Sequence, residues 1–209
     1  AHSPDARAAL DALLDAYFEQ LVGGVAAGRG LSAETVRGLI DSGPLSAAEA
    51  LDAGLVDRVA YPDEHDAALD AALGDIERLD LLDYGRRHER VHPGGERIAV
   101  VFAEGTIVRG AGGIEPWGGE RYLGSDSLGE TLARLSEDAG VRAVVLRVDS
   151  PGGSALASDL ILRRVELLAA EKPVVVSMSD LAASGGYYIA AKATRIVAEP
   201  GTLTGSIGV

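Results

Sequence analysis

The sequence predicts an α/β fold, a layered sheet built from βα units and preceded by a mainly helical segment. Two observations carry that prediction. Short β-branched runs alternate with helical patterns beyond residue 97, and two of those runs end on glycine-rich turns that open directly into helices. Before residue 94 the periodicity is helical almost throughout, and a charged stretch from Asp83 to Glu96 separates the two regimes. A boundary is therefore expected near residue 95, giving segments 1–94 and 95–209.

In the first segment Leu10, Leu13, Leu14, Tyr17, Leu21, Val22 and Val25 recur at helical spacing, which predicts an amphipathic helix over 5–27 that ends before Gly28. Ser32 is placed to cap a second, short helix. Ser46 with Glu49 three positions on is a capping box, and Gly54 closes that helix. Leu55 to Ala60 reads as a short strand. Ala67, Ala68, Ala71, Ala72, Leu73 and Ile76 then mark another helix.

In the second segment Arg97 to Ala103 is an apolar strand, followed by Gly105 and the pair Ile107 and Val108. Residues 110–124 hold six glycines and Trp117 and read as a long flexible loop. Leu128, Leu132 and Leu135 define the next helix. Val144 to Val148 form a strand that runs into Asp149-Ser150-Pro151-Gly152-Gly153-Ser154. A helix patterned on Leu156, Leu160, Ile161, Val165 and Leu168 comes next. Pro173 to Met178 is short, apolar and β-branched, as in a strand buried on both faces of a parallel sheet. It leads through Ser179 to Ser184 into a helix expected over 185–191.

Composition narrows the function classes. The 209 residues are 47% hydrophobic, with mean hydropathy +0.13, enough to bury a sizeable core in one or two domains. A net charge of −13 and a pI near 4.7 argue against nucleic acid or an anionic membrane surface as the main partner. With no cysteine, disulfides and thiolate chemistry are excluded. No run of eighteen apolar residues and no secretory signal pattern occurs within these residues.

The two glycine turns carry the chemistry. Ligands of open parallel sheets bind outside the carboxyl ends of strands, so consecutive turns after parallel strands can face one crevice. Ser184 stands between a strand and Gly185-Gly186. There a hydroxyl nucleophile meets free backbone N–H groups and the positive end of a helix, both able to stabilise an oxyanion. The structural alternative is that the glycines close tight turns and Ser184 caps a helix.

Three motifs in order, Val-Asp-Ser-Pro-Gly-Gly-Ser at 148–154, Ser-Asp-Leu-Ala-Ala-Ser-Gly-Gly-Tyr-Tyr at 179–188 and Thr-Leu-Thr-Gly-Ser-Ile-Gly-Val at 202–209, resemble signal peptide peptidase A, or protease IV. That family consists of serine peptidases of the Clp protease/crotonase superfold. The resemblance is strong over 97–209. Residues 8–93 look like the end of the first repeat of the long, two-repeat form, so the chain is expected to be a fragment of such an enzyme. It implies Ser184 as nucleophile and backbone N–H groups of Gly185 and of the Gly152-Gly153 turn as the oxyanion hole, with the choice between Gly152 and Gly153 left open. It also implies peptide substrates, signal peptides among them, no cofactor and no metal. A ring-like homo-oligomer is implied, as is association with the bacterial cytoplasmic membrane through a segment outside these residues, the catalytic domain being extracytoplasmic.

A serine hydroxyl needs a base within hydrogen-bond reach. His2, His65, His88 and His92 all lie outside the glycine-turn region, and Lys172 and Lys192 are the only lysines. In the family a buried, neutral lysine accepts the serine proton. The resemblance places it ahead of Ala1. Lys172 is expected to cap the helix before it and Lys192 to be solvated, and the fragment alone is expected to be inactive. His88-Glu89-Arg90-Val91-His92 spells a zinc peptidase signature, but Pro93 and Gly94 follow at once among charged neighbours, which disfavours the buried helix that zinc ligation needs. Two other function classes stay open: a crotonase-like acyl-CoA enzyme, which needs the paired N–H donors but no serine, and a noncatalytic scaffold.

Overall fold

A computed structural model describes residues 3–74, 95–115 and 117–207, in two compact units, Ala1–Arg90 and Val91–Val209. The division lies a few residues ahead of the expected boundary. The histidine pair at 88 and 92 and the linker up to residue 94 lie outside the described residues.

The first unit is helical. Helix α1 (Pro4–Arg29) starts on Ser3, whose side chain accepts the Ala6 N–H, and stops at Gly30, left-handed at φ 66 with its N–H on the Ala26 carbonyl. It therefore runs through Gly28, because the residue that must reverse the chain is Gly30. Ser32 caps α2 (Ala33–Asp41) by accepting the Thr35 N–H at 3.0 Å. The capping box of α3 (Ala47–Asp52) is complete: Ser46 Oγ accepts the Glu49 N–H, and Glu49 Oε2 accepts the Ser46 N–H at 2.8 Å. Residues 55–60 form no strand. Arg29 holds this stretch instead, donating to the Gly54 carbonyl at 2.8 Å and to both carboxylate oxygens of Asp57 at 3.1 and 2.7 Å. Helix α4 (Pro62–Leu73) contains the alanine pattern, and Ile76 lies outside the described residues. Among the described residues of this unit, Val22 and Val36 are the fully buried apolar side chains.

The second unit is a parallel sheet in the order β1-β5-β6-β7, with β8 beside the end of β6. Its strands are β1 (Arg97–Glu104), β5 (Val141–Ser150), β6 (Val174–Ala183), β7 (Arg195–Val197) and β8 (Leu203–Gly205). Helices α5 (Ser125–Glu137) and α6 (Ala155–Glu171) pack together, and the core joins Leu128, Leu132, Ile161, Val165 and Leu168 to Val144, Leu146, Val148, Val174, Val176 and Met178. Burial alternates along β5 and β6, so these strands are fully buried on one face rather than two. Val175 and Ser177 are half-buried, and on β1 Ile98, Val100 and Phe102 are 67%, 56% and 63% exposed.

The glycine-rich stretch 110–124 is not a loop throughout. Strands β2 (Thr106–Val108), β3 (Gly112–Ile114) and β4 (Arg121–Gly124) make a small sheet in the order β2-β4-β3. Its glycines serve close approach: a Cβ on Gly112 would stand 2.4 Å from the Gly124 nitrogen, and one on Gly124 would stand 2.2 Å from the Ala111 carbonyl carbon. Trp117 at the β3–β4 turn is 98% exposed.

Candidate active site

The first glycine turn is positioned by β2. Gly105 N–H donates to the Asp149 carbonyl at 2.9 Å, Ile107 N–H to the Gly152 carbonyl at 2.8 Å, and Ser154 N–H to the Ile107 carbonyl at 2.9 Å. Gly152 and Gly153 have φ +95 and +149, a conformation that strains any other residue. A Cβ on Gly153 would lie 2.2 Å from the Ile107 carbonyl oxygen, so only glycine lets the turn lie flat on β2. Ser154 then caps α6 by accepting the Ala157 N–H.

The second turn is positioned by a register break. Strands β5 and β6 pair evenly up to Val148 and Met178, and the next pair is Ser150 with Ala182, so β6 carries extra residues at 179–181. Arg147 spans the start of this bulge, donating to Ser177 Oγ at 2.8 Å, the Met178 carbonyl at 3.0 Å and Ser179 Oγ at 3.0 Å. Beyond the bulge β6 pairs with β8. Thr202 Oγ1 donates to the Ser179 carbonyl at 2.8 Å, Thr204 Oγ1 to the Ala182 carbonyl at 2.7 Å, and Ser184 N–H to the Gly205 carbonyl at 2.8 Å. Thus the third sequence motif braces the strand that leads into Ser184. Its two threonine hydroxyls are site-supporting groups that residue-by-residue reading missed; their spacing of two, Thr202 just ahead of β8 and Thr204 within it, was the available signal.

Ser184 itself has φ 53 and ψ −118. A non-glycine residue there is strained, and a serine on a sharp strand-to-helix turn presents its hydroxyl outward. The helix after it, α7 (Gly185–Tyr188), is a single turn, shorter than the predicted 185–191. From Ala190 on the N–H groups bond three residues back, Ala190 to Tyr187 and Ala191 to Tyr188, which tightens and ends the helix. A four-residue turn has little macrodipole, so any electrostatic help at Ser184 comes from individual N–H groups.

The structure brings the two turns into direct contact. A Cβ on Gly152 would stand 2.6 Å from the Gly185 nitrogen and 2.8 Å from Ser184 Cβ. Gly153, Ala155, Ser158, Ser184, Gly185, Tyr188 and Ile207 line one cavity of about 240 Å³. Gly152 N–H donates to Ser150 Oγ at 3.1 Å, inside the protein. Among the described residues, the N–H groups of Gly153 and Gly185 and the Ser184 hydroxyl have no hydrogen-bond partner. Tyr188 donates its hydroxyl to Asp159 at 2.9 Å, a bond that raises the phenol pKa above its usual value.

Among the described residues, the cavity lining contains neither lysine nor histidine. Lys172 lies at the far end of β6, its ammonium donating at 2.6 Å to the carbonyls of Leu135 and Asp138. The side chain thus caps α5, one helix earlier than expected, while the Lys172 backbone N–H ends α6 on Leu168. Lys192 is 55% exposed and stands 3.6 Å from Glu166. His65 is on α4 in the other unit.

A braced parallel strand, a strained serine and a glycine turn sharing one cavity define a layered α/β protein with a site suited to acyl chemistry. The profile of Peptidase family S49 matches residues 1–74 and 166–209, and the chain belongs to that family. It is 39% identical to the chloroplastic serine protease SPPA of Arabidopsis thaliana over 209 residues, covering 96% of this chain and 30% of that protein. With Protease 4 of Salmonella typhi it shares 38% identity over 224 residues, 99% of this chain and 35% of the relative. With Protease 4 of Haemophilus influenzae it shares 47% over 114 residues, 54% of this chain and 18% of the relative. The chain spans about a third or less of the length of these curated relatives. Among solved structures, the 1510-N membrane-bound stomatin-specific protease is 23% identical, with a TM-score of 0.38 over 55% of this chain and 49% of that one. A likeness at that level assigns no role to any residue of this chain.

Proposed function

We propose that this chain is the nucleophile-bearing part of a serine endopeptidase that cuts apolar peptides, cleaved signal peptides among them, at a membrane. The observation that carries the reading is one cavity lined by the strained Ser184 and by Gly153 and Gly185, whose N–H groups have no partner among the described residues. Ser184 Oγ adds to the scissile carbonyl carbon and its proton passes to a base. The carbonyl oxygen, now an oxyanion, takes hydrogen bonds from Gly153 and Gly185. Collapse expels the amine, which leaves with a proton from the base, and water then hydrolyses the acyl-enzyme by the same steps. Gly153 is chosen over Gly152 because the Gly152 N–H is already bonded to Ser150.

The base is a neutral lysine supplied from outside these residues, since Lys172 and Lys192 are engaged elsewhere. Membrane association and a homo-oligomeric ring belong to the same proposal; among the described residues no helix is long and apolar enough to cross a membrane. A crotonase-like acyl-CoA enzyme would use the two N–H donors on a thioester enolate, but would have no use for a serine held at φ 53. Peptide hydrolysis by the intact enzyme that disappears in Ser184→Ala supports the peptidase. Full activity in Ser184→Ala, or acyl-CoA turnover without peptide cleavage, overturns it.

A further inference from the structure

Ser150 is fully buried at the end of β5, and its hydroxyl is used twice. It donates to the Gly105 carbonyl at 2.7 Å and accepts the Gly152 N–H at 3.1 Å. The Gly105 carbonyl is itself a fixed point: Gly105 has φ +92, and a Cβ there would stand 2.0 Å from the Arg121 carbonyl oxygen, so β4 holds that residue against the β1–β2 corner. The other side of Ser150 supports the nucleophile turn. A Cβ on Gly186 would stand 2.6 Å from the Ser150 carbonyl oxygen and 3.2 Å from Ser150 Cβ.

These contacts fix two successive peptide planes. The hydroxyl turns the Gly152 N–H into the protein, and the Gly152 carbonyl accepts from Ile107 N–H at 2.8 Å. In a trans peptide the C=O and N–H point in opposite directions, so a Gly152 carbonyl aimed at β2 sends the Gly153 N–H away from β2. Gly153 lines the cavity that holds Ser184. Two adjacent glycines with positive φ have many alternative conformations of similar energy, and nothing in their own chemistry selects this one.

We propose that Ser150 is a positioning residue: its hydroxyl sets the orientation of the Gly152-Gly153 turn so that the Gly153 N–H, and not that of Gly152, faces the reacting carbonyl. The inference rests on the serine peptidase reading of Ser184. Because an oxyanion donor acts on the transition state and not on the bound peptide, misorienting it lowers kcat with little change in KM. Removing one such donor outright costs roughly 10²- to 10³-fold, and a turn that still visits the right orientation loses less, about 10- to 100-fold.

The test uses the intact enzyme with an apolar peptide substrate, comparing Ser150→Ala and Ser150→Cys with wild type and with Ser184→Ala. Both Ser150 variants are expected to lose about 10- to 100-fold in kcat, with KM within about threefold. A peptide aldehyde, whose serine adduct carries the oxyanion, is expected to lose affinity to the same extent, while an uncleaved peptide amide binds as before. If Ser150→Ala does not fold, the near-isosteric Ser150→Cys, a weak acceptor, decides alone. Either kcat within twofold of wild type or a loss carried by KM overturns the inference. Activity surviving in Ser184→Ala is a separate outcome that removes the peptidase reading itself.

Discussion

A methyl group on Gly152 has nowhere to go. It would press on the Gly185 nitrogen at 2.6 Å and on Ser184 Cβ at 2.8 Å, from a residue whose φ of +95 already disfavours any side chain. Gly152→Ala is therefore expected to lose peptidase activity and to destabilise the fold by about 1–3 kcal/mol, through backbone strain and overpacking together. Chemical denaturation with a parallel activity assay checks this, and a variant equal to wild type in both would show that the turns are not packed as described. Gly153→Ala meets backbone even closer, 2.2 Å from the Ile107 carbonyl oxygen, and is expected to pull the turn away from β2. The serine and its glycine turns were legible in the sequence because the residue types are restrictive: few backbones need two adjacent glycines after a buried strand. Which of the Gly152 and Gly153 N–H groups is already bonded inside the protein was not legible. Two identical residues differ only in where their N–H groups point, and that depends on Ser150 and Ile107, which are distant in sequence or unmarked by it.

Arg147 shows the same dependence one level up, where a strand's register decides where its last residue arrives. Arg147 is half-buried, and its guanidinium ties down the start of the bulge through bonds to Ser177 Oγ, the Met178 carbonyl and Ser179 Oγ. Arg147→Met keeps the stem and leaves those acceptors short of a donor. We expect a loss of about 1.5–3 kcal/mol, as for hydrogen bonds to a charged group, and lower activity through a displaced β6 end. Arg147→Lys is expected to recover little, since one ammonium cannot span three acceptors on adjacent residues as a planar fork does. Equal unfolding midpoints for Arg147→Met and wild type would remove Arg147 from this role. In α3 the Ser46 hydroxyl and then its backbone N–H hold the Glu49 carboxylate below its ordinary pKa. A depressed carboxylate pKa stabilises the fold above the unfolded value and loses that contribution as pH falls through the folded one, so the α3 cap weakens on acidification below the usual carboxylate range. Local periodicity and caps foretold α1, α2, α3 and α6, and the caps read at Ser32 and Ser46 are contacts between residues three apart, whereas α7, with no side-chain cap, ends short of its expected bound. Leu55 to Ala60 was misread for want of such a contact: a strand needs a partner, and here Arg29 supplies an ion pair instead. Residues 110–124 were misread because glycines that admit a close neighbour look the same in sequence as glycines that loosen a chain.

At the scale of the whole molecule the decisive group is the base, which is not among the described residues that line the cavity. A serine hydroxyl without a base remains a protonated alcohol, and general bases contribute typically 10²- to 10⁴-fold. These 209 residues expressed alone are therefore expected to hydrolyse apolar esters or peptides at least about 10²-fold more slowly than the intact enzyme, although the two glycine turns and Ser184 share one cavity. Robust turnover that Ser184→Ala abolishes would show that a base among these residues had been overlooked. In the intact enzyme the base has to be neutral to accept a proton, and burial lowers a lysine pKa by penalising its ammonium form. On the proposed Ser/Lys reading the active form is the deprotonated one, so kcat/KM is expected to rise with pH through the lowered pKa and to level off above it. Replacing the supplying lysine, expected upstream of Ala1, removes both the activity and that rise. A chelator provides the opposing outcome. A metallopeptidase built on His88 and His92 would lose activity with its metal, whereas a Ser/Lys peptidase keeps its rate in excess chelator and loses it only when Ser184 or the lysine is replaced.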